Sequence, residues 1–364
     1  MPGSDALASL RAQFPVVERL AYLNAGTNGP IARAATEAVR AQAELEEREG
    51  RGAMPFFAAF QERMEQLRAG YAAYLNAAPA DVALTTSTTD GVSRVLLGLA
   101  LRPGDEILTS DEEHPGVYGP LVAQRERGVA VRTAPLADLA DAIGPSTRLV
   151  VCSHVSWRSG AYAPTAALAA APPLVLLDGA QGVGAVPTDV TALGADFYAG
   201  AGQKWLCGPS GTGMLWIDPA ARERLTVPSP GYLNLADANA GLDAVARDDA
   251  QAFDTPTLAS LAPVHAVAML ELFEATGWAA IHRHAHDLAE LAADKLRERG
   301  RELLERDRTT LVTWREPNAP DRSEQLAQAG VIVRFLPGED ILRASFGGWN
   351  DERDLERLLE ALPA

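Results

Sequence analysis

Short apolar runs alternate with helical segments through the middle of the chain. The runs lie at residues 82–86, 106–110, 129–133, 148–154, 174–177, 196–199 and 213–217. A helix between successive apolar runs is typical of parallel strands, because a parallel pair needs a long crossover connection. The sequence therefore predicts an α/β fold whose large domain holds a seven-stranded, mostly parallel, doubly wound sheet.

Polar and small residues cluster where these predicted strands end. The clusters are Ser87-Thr88-Thr89, His114-Pro115-Gly116, Ser153-His154, Asp178-Gly179-Ala180-Gln181 and Gly202-Gln203-Lys204. Open α/β sheets bind their ligands at the carboxyl ends of the strands. We therefore expect these clusters to lie together in one site.

Lysine is rare in this chain. Of the 32 Lys and Arg residues, only Lys204 and Lys295 are lysines. Arginine would carry charge equally well at position 204, but it never loses its proton in a protein. A lysine there indicates an amine nucleophile that forms a Schiff base. The alternative is a lysine at a strand end whose stem lies on apolar surface while its charge stays in water.

The clusters at Thr88 and Asp178 point to a phosphorylated, cationic ligand. The stretch 87–89 opens a predicted helix at residues 90–101, where hydroxyls and free backbone N–H groups bind phosphate. An ordinary threonine N-cap gives the same pattern. Asp178 ends an apolar strand, so its partly buried carboxylate needs a cation. The protonated pyridine nitrogen of pyridoxal phosphate would be such a cation.

Composition excludes several classes of function. A net charge of −16 disfavours nucleic acids and anionic membranes as partners, because either would be repelled over most of the surface. Residues 1–16 lack a basic region followed by an apolar run, and prolines interrupt the longest apolar stretch at 161–177, so we predict neither a signal peptide nor a membrane span. Cys152 and Cys207 are too few for a disulfide framework and indicate a reducing cytoplasm.

The remaining segments flank the large sheet. We predict helices at residues 31–49, 56–78, 256–277 and 278–299, and strands at residues 310–314, 331–336 and 341–345. A closing helix follows Asn350, its expected N-cap, with an apolar stripe of Leu355, Leu358, Leu359 and Leu362. The long acidic loop at 228–253 is either a lid or an element between subunits.

Three histidines, at positions 282, 284 and 286, do not all share one helix face, although His282 and His286 do at a spacing of four. A zinc site would need a third ligand and an acid, so a solvated helix face is favoured and no metal is expected. The domain division that follows from these segments has three parts. Residues 1–20 form an N-terminal segment packed on the small domain, residues 21–258 the large domain, and residues 259–364 a small α+β domain.

Taken together, these residues resemble the class V aminotransferase group of fold-type I pyridoxal-phosphate enzymes. The motifs that carry the resemblance are Asp178-Gly179-Ala180-Gln181, Gly202-Gln203-Lys204, Ser87-Thr88-Thr89 and His114. Within the group, the chain is most similar to the L-cysteine/cystine C-S lyases and to isopenicillin N epimerase-like proteins. The stretches that favour this subgroup are 22–30, 113–116, 153–157, Lys204-Trp205 and the spacing from Arg334 to Arg343.

The resemblance implies pyridoxal 5'-phosphate as cofactor and a role for each matched position. Lys204 would form the Schiff base, Asp178 would pair with the pyridine nitrogen, and Gln181 would approach the phenolic oxygen. His114 would stack on the ring, and Trp157 would also contact the cofactor. The phosphate would be held by Ser87, Thr88, Thr89 and Gln203.

Other implied contacts involve the substrate and a second subunit. Arg343 would bind the α-carboxylate of an amino acid, with Asn24 and Arg334 as further substrate contacts. A planar guanidinium suits a carboxylate because it donates two parallel hydrogen bonds. Thr255 would reach the phosphate from a second subunit, which implies a homodimer with active sites at the interface.

Departures from the group bear on the reaction. Ala201 and Gln203 replace a hydroxyl and an imidazole that much of the family carries before the lysine, and Trp157 stands where desulfurases commonly have Asn. No cysteine occurs between Arg334 and Arg343, where desulfurases carry their nucleophile. A desulfurase of the usual kind is therefore disfavoured.

Several reactions stay open at this stage. The favoured one begins with α-proton abstraction by Lys204 and continues with β-elimination from a cysteine- or cystine-like substrate, giving pyruvate, ammonia and a sulfur product. Epimerisation and transamination start with the same proton abstraction. A non-catalytic binding protein would be expected to have lost Lys204 or Asp178, and a nicotinamide oxidoreductase would need a glycine fingerprint that is missing.

Overall fold

The computed structural model describes the backbone of residues 2–363 and the side chains of residues 5–363. The strands are β1 (Ala21–Tyr22), β2 (Val82–Thr85), β3 (Glu106–Ser110), β4 (Ala130–Ala134), β5 (Thr147–Ser153), β6 (Leu174–Asp178), β7 (Phe197–Ala201), β8 (Gly213–Ile217), β9 (Leu311–Arg315), β10 (Val331–Ile332), β11 (Arg334–Phe335) and β12 (Ile341–Ser345). The α-helices are α1 (Pro2–Ala12), α2 (Arg33–Glu49), α3 (Met54–Leu75), α4 (Thr88–Gly98), α5 (Pro115–Glu126), α6 (Thr165–Ala169), α7 (Val190–Leu193), α8 (Pro219–Arg222), α9 (Leu261–Thr276), α10 (Trp278–Glu298), α11 (Ala319–Gln328) and α12 (Glu352–Ala361).

The large sheet has the strand order β2-β8-β7-β6-β5-β3-β4. Strands from β7 to β4 pair in parallel, whereas β8 runs antiparallel to both β7 and β2. A turn at residues 202–212, without a helix, connects β7 to β8, so the chain returns as a hairpin instead of crossing over. The predicted seven-stranded, mostly parallel sheet is confirmed, with β8 as its antiparallel exception.

Helices cover both faces of this sheet. Val95 of α4 and Val117 of α5 belong to the core on one face, and Leu67 and Tyr71 of α3 belong to the core on the other. Strands β6, β7 and β8 are therefore buried along their whole length, which explains why they read as continuous apolar runs.

A second, smaller region contains two sheets. Strands β11, β12 and β9 form an antiparallel sheet in that order, and β1 pairs in parallel with β10. The single strand predicted at 331–336 is therefore wrong. It divides at Val333, because β10 pairs with the N-terminal β1 while β11 pairs with β12.

The cap of α12 differs from the prediction. Asp351 is the N-cap, and its carboxylate accepts a hydrogen bond from the backbone N–H of Arg353. Asn350 instead accepts from the backbone N–H of Gly347 at 2.8 Å and donates to Asp354 at 3.0 Å. Asn350 as N-cap is thus wrong by one residue, because its side chain is engaged by these two residues and by the Tyr22 carbonyl, to which it donates at 3.1 Å. The predicted leucine stripe of α12 is buried.

The histidine-bearing face of α10 is not solvated, which corrects the prediction. His282 and His286 are buried against the large-sheet region. The Nε2 atom of His286 lies 3.1 Å from the carbonyl oxygen of Ala185, and that of His282 lies 3.3 Å from the Tyr74 hydroxyl. The two side chains lie on one helix face, as their spacing of four residues predicts, but sequence alone did not identify the large-sheet region as the neighbour of that face.

Two further segments connect the regions. Arg11 of α1 pairs with Asp351 and Asp354 at the start of α12. The loop at residues 228–253 is fastened at its base by Asn234, whose side-chain amide donates to the carbonyl groups of Gln251 and Asp254. Within residues 2–363, no single helix has the length and hydropathy of a membrane span; α9 and α10 reach those values only as a pair bent by 82°.

Candidate active site

Lys204 lies in the turn that follows β7 and is partly buried. The turn is fixed on both sides of the lysine, because the Gly29 N–H donates to the Gln203 carbonyl at 2.8 Å and the Cys207 N–H donates to the Lys204 carbonyl at 3.0 Å. Burial lowers the pKa of Lys204 to about 8, with Arg343 adding to the decrease and Asp178 opposing it. The amine is therefore easily deprotonated, unlike a lysine whose charge stays in water.

Asp178 ends β6 and is buried. Its Oδ1 accepts a hydrogen bond from the Ala180 N–H at 2.8 Å, which orients the carboxylate. Burial raises the pKa of Asp178, while the charge of Lys204 and the Ala180 hydrogen bond oppose the increase. A lysine amine and a buried carboxylate thus interact electrostatically at the ends of β7 and β6.

The N-terminal turn at residues 24–30 closes one side of the site. The Gln181 side chain donates to the Gly26 carbonyl at 2.8 Å and accepts from the Trp205 indole at 2.9 Å. A Cβ atom at Gly26 would lie 2.8 Å from Nη2 of Arg343 and 3.1 Å from Oε1 of Gln181. Asn24 accepts from the Thr27 hydroxyl and forms a backbone bridge with Ser345.

The predicted phosphate cradle lies at the N terminus of α4. The helix begins at Thr88, two residues earlier than predicted, and Ser87 is its N-cap, accepting from the Asp90 N–H at 3.1 Å. The Thr88 hydroxyl is buried and finds no hydrogen-bond partner among the residues described. The Gln203 Oε1 atom is likewise buried and unpartnered in the described part of the chain. Thr89 is exposed, and its hydroxyl lies 2.5 Å from where a Gly116 Cβ would be.

His114 is the N-cap of α5. Its Nδ1 accepts a hydrogen bond from the Gly116 N–H at 3.0 Å, so in the neutral ring the proton is on Nε2. The ring meets Trp157 edge to face, with centroids 4.9 Å apart. Partial enclosure lowers the pKa of His114 to about 4, and the charges of Lys204 and Arg343 act in the same direction. The imidazole is therefore neutral at physiological pH.

Arg343 and Arg334 bring two guanidinium groups from the small-sheet region. Arg343 is buried on β12 and donates from Nη1 to the Trp157 carbonyl at 2.6 Å. Its Nε has no partner within the described chain, and burial, followed by the charge of Arg334, lowers the pKa of Arg343 to about 9. Arg334 is half-buried and forms no ion pair with any carboxylate in residues 5–363.

Thr255 lies beside β2, which is an edge strand of the large sheet. Its N–H donates to the Leu84 carbonyl at 2.7 Å, and its side chain is buried. The preceding Asp254 forms an ion pair with Arg68 at 2.8 Å, and both side chains are almost completely buried. This pair fixes the backbone next to Thr255.

Two polar residues of the site were not predicted. Ser345 is two positions after Arg343 on β12, on the same side of the strand, and its buried hydroxyl has no partner among the residues described. Side chains alternate along a strand with a period of two, so the position of Arg343 could have identified Ser345. Glu113 is buried beside the site and accepts from the Ser153 N–H at 2.9 Å and the Ser153 hydroxyl at 2.8 Å. Burial raises the pKa of Glu113 to about 7.

These groups fit pyridoxal phosphate. The site offers a lysine amine with a lowered pKa, a buried carboxylate beside it, and a helix N terminus with an unpartnered buried hydroxyl. Phosphate oxygens accept hydrogen bonds from hydroxyl and backbone N–H groups of the kind found at Thr88. The lysine amine suits the cofactor's aldehyde, the carboxylate suits its ring nitrogen, and the helix N terminus suits its phosphate.

A model of the aminotransferase class-V family matches residues 22–358. The chain belongs to the class V aminotransferase family. Among its relatives in this family is the isopenicillin N epimerase of Amycolatopsis lactamdurans, which is 29% identical over 99% of this chain and 98% of the relative. A probable cysteine desulfurase of Methanothermobacter thermautotrophicus is 30% identical, and the match covers 57% of this chain and 55% of that protein.

Solved structures agree with this family membership. The cystine C-S lyase C-DES, in complex with its reaction product cysteine persulfide, superposes with a TM-score of 0.90 at 27% identity, covering 96% of this chain and 98% of C-DES. A C-DES variant with glycine covalently linked to its PLP cofactor gives the same values. The class V protein described here therefore has the fold-type I architecture, and its cofactor is pyridoxal phosphate.

Proposed function

We propose that this class V enzyme catalyses β-elimination from a cysteine- or cystine-like amino acid, releasing pyruvate, ammonia and a sulfur product. The pairing of Arg334 with Arg343 on β11 and β12 is the observation that carries the proposal. Both guanidinium groups act electrostatically on His114, and Arg343 also acts on Lys204. Two adjacent cations facing one site favour a substrate with two carboxylates, as cystine has.

Each residue of the site has a role in this proposal. Arg343 binds the α-carboxylate, and the neutral Lys204 amine takes the α-proton. Asp178 holds a proton on the pyridine nitrogen, and His114 lies against the ring as a neutral imidazole. When bound, pyridoxal phosphate supplies the electron sink that stabilises negative charge at the substrate α-carbon.

Other contacts hold the cofactor and substrate in place. Gln181 faces the phenolic oxygen, and Trp157 supports His114 from the side. Arg334 binds the distal carboxylate, and Asn24 closes the substrate side. The phosphate is held by Ser87, Thr88, Thr89 and Gln203, with Thr255 reaching it from a second subunit.

The elimination balances without an external oxidant or reductant. The α C–H bond breaks and its proton passes to Lys204, after which the Cβ–S bond breaks with the electron pair leaving on sulfur. With cystine the leaving group is a persulfide, which takes up a proton. The released enamine then reacts with one water to give pyruvate and ammonia.

The cysteine positions favour elimination over desulfuration. Cys152 lies on β5 and Cys207 in the turn after Lys204, and both thiols are free and buried. Burial raises the pKa of each thiol, which disfavours the thiolate that would attack sulfur. The hairpin of β11 and β12 has no cysteine. The two free cysteines also support placing the enzyme in the reducing cytoplasm.

Epimerisation is the second candidate. It is supported by the match to an isopenicillin N epimerase over nearly the whole of both chains. In that case the proton removed by Lys204 would be replaced on the other face of the α-carbon. Transamination is the third candidate reaction.

We further propose that the enzyme is a homodimer. Met54 and Phe57 of α3 and Tyr232 of the 228–253 loop are exposed, and with Leu233 and Pro256 they line one apolar depression. The depression adjoins Thr255, the residue assigned to the partner's phosphate site, so a second copy of this chain is its occupant. Sedimentation equilibrium should give a dimer for the native protein and a monomer for Tyr232→Glu with Met54→Glu.

A panel of amino acids tests the reaction. The purified holoenzyme is incubated separately with L-cystine, L-cysteine and non-sulfur L-amino acids, and pyruvate, ammonia, persulfide, 2-oxo acids and chirality are assayed together. We expect pyruvate and ammonia in equal amounts from cystine, and neither from Lys204→Ala. Absence of pyruvate from every sulfur amino acid, with an epimer or 2-oxo acid formed instead, would replace elimination by one of the alternatives.

A further inference from the structure

The hairpin that carries both substrate-facing arginines is held at its tip by an ion pair. Residues 336–340 connect β11 to β12, and Glu339 lies in this connection. The guanidinium of Arg158, from the large-sheet region, contacts both carboxylate oxygens of Glu339. Its Nε lies 2.9 Å and 2.8 Å from the two oxygens, and its Nη2 lies 2.7 Å from one of them.

Arg158 is itself fixed on the large-sheet side. Its Nη1 lies 3.5 Å from a carboxylate oxygen of Glu112, and its backbone N–H donates to the Ser156 hydroxyl at 3.1 Å. The other oxygen of Glu112 accepts hydrogen bonds from the hydroxyls of Ser156 and Ser159. The guanidinium therefore extends from a rigid, hydrogen-bonded turn, so it can hold Glu339 in one position.

The neighbouring residue holds the base of the same hairpin. Trp157 accepts a hydrogen bond from Arg343 through its carbonyl group. Two consecutive residues, Trp157 and Arg158, thus bind the hairpin at Arg343 and at Glu339. Since Arg334 stands opposite Arg343, both guanidinium groups are positioned by these two contacts.

The charges around Arg158 distinguish it from the two site arginines. Glu339 and Glu112 neutralise Arg158, whereas Arg334 has no carboxylate partner in the described chain. Arg158 is therefore not available to bind a substrate carboxylate. Its charge pairs with Glu339 of the hairpin instead.

We propose that Arg158 and Glu339 form a positioning pair that holds the β11–β12 hairpin so that Arg334 and Arg343 are set for the two carboxylates of the substrate. The proposal rests on the proposed function only for the dicarboxylate nature of the ligand. Neither residue touches the reacting atoms. Loss of the pair lets the hairpin tip move, and the two guanidinium groups lose their common orientation.

Binding of an unreactive dicarboxylate tests the pair without requiring turnover. Suberate, whose chain length matches that of cystine, is titrated calorimetrically into the holoenzyme, with octanoate as the monocarboxylate comparison. For Glu339→Gln we expect the Kd of suberate to rise about two- to fivefold, the measure of one lost half-buried ion pair, with a smaller change for octanoate. Hydrogen exchange of the amides in residues 334–343 should accelerate in the same variant.

Three further variants complete the test. Glu302→Gln removes the exposed ion pair with Arg315 on β9 and is the matched control, for which suberate affinity and hairpin exchange should stay unchanged. Arg158→Gln should weaken suberate binding, and the double variant with Glu339→Gln should bind no worse than Arg158→Gln alone.

Several results would overturn the proposal. These are suberate binding unaffected by Glu339→Gln, additive losses in the double variant, hairpin exchange unchanged, or no suberate binding by the unaltered holoenzyme. Failure of the proposed reaction is a separate result, since it consists of absent pyruvate while the binding and exchange effects persist.

Discussion

Arg334 stands directly opposite Arg343 on the antiparallel strands β11 and β12. Like charges in this cross-strand position repel each other, so the pair costs stability unless an anion lies between them. The pairing lowers the pKa of Arg343, although burial is the larger cause. The dicarboxylate substrate proposed above would offset this repulsion by lying between the two guanidinium groups.

The first prediction separates the two arginines by substrate. Arg343→Gln should raise KM for cystine and cysteine alike, by about 10- to 100-fold, because it removes a charged hydrogen-bonding partner of the α-carboxylate. Arg334→Gln should raise KM for cystine while leaving cysteine within about twofold. Steady-state kinetics on both substrates measure the difference. Equal losses on cysteine in the two variants would contradict the assignment of the distal carboxylate to Arg334.

The second prediction concerns the close approach of the N-terminal turn. A Cβ at Gly26 would lie 2.8 Å from Nη2 of Arg343 and 2.9 Å from the Ser345 hydroxyl, so Gly26→Ala should displace the guanidinium. We expect KM to rise about tenfold or more with little change in unfolding temperature. Gly52→Ala is the control, because no atom lies within 4 Å of its added Cβ. A Gly26→Ala enzyme with wild-type KM would show that the turn does not constrain Arg343.

The third prediction follows from the lowered pKa of Lys204. Only the neutral amine attacks the aldehyde of pyridoxal phosphate, so the rate of cofactor uptake by the apoprotein should rise with pH around a midpoint near 8. Asp178 stabilises the protonated amine, and Arg343 destabilises it. Asp178→Asn should therefore lower the midpoint and Arg343→Gln should raise it, as followed by the absorbance of the bound cofactor. Midpoints that shift in the opposite directions would contradict this electrostatic description.

The fourth prediction concerns stability in acid. Burial lowers the pKa of His282 to about 4 in the folded state, helped by the charge of His286, while the unfolded chain binds a proton near pH 6.5. Protonation therefore favours unfolding as pH falls from about 6.5 to about 4, by up to ~1.4 kcal/mol per pH unit for one proton. Relative to His282→Gln, the native protein should lose stability across this window and keep a constant difference above it.

Urea denaturation of both proteins at several pH values measures that difference. Titrating groups far from position 282 cancel in the comparison because both proteins contain them, whereas His286, one helical turn away, is coupled to His282. Parallel stability curves from pH 4 to pH 7 would show that His282 does not titrate between the folded and unfolded states as expected.

The large sheet was predictable because its signals are local. Each strand is a short apolar run bounded by polar or small residues, and burial on both faces makes such runs continuous. The direction of β8 was harder to predict from the sequence, because it depends on whether the chain crosses over or turns back after Lys204. The division at Val333 depends on two different partner strands, which no local pattern encodes.

The residues of the site also divide into those that a local sequence signal predicts and those whose role depends on tertiary contacts. Lys204, Asp178 and Thr88 are predicted site residues by residue type, position after a strand and motif, and Arg343 is predicted by its match to the family motif. Glu339 and Arg158 are not, because their significance comes from an ion pair between residues 181 positions apart. The prediction of a solvated face for His282 and His286 is wrong because the helix pattern did not show that Tyr74 would lie against His282 and Ala185 against His286.

The sequence by itself determined the fold class and, through the family motifs, the cofactor, since strand patterns and short motifs are local properties of the chain. Tertiary structure alone decided the pKa of Lys204, the neutrality of His114 and the opposition of Arg334 to Arg343. These depend on burial and on charges brought together from distant segments, and electrostatic interactions are set by distance and environment in the folded protein.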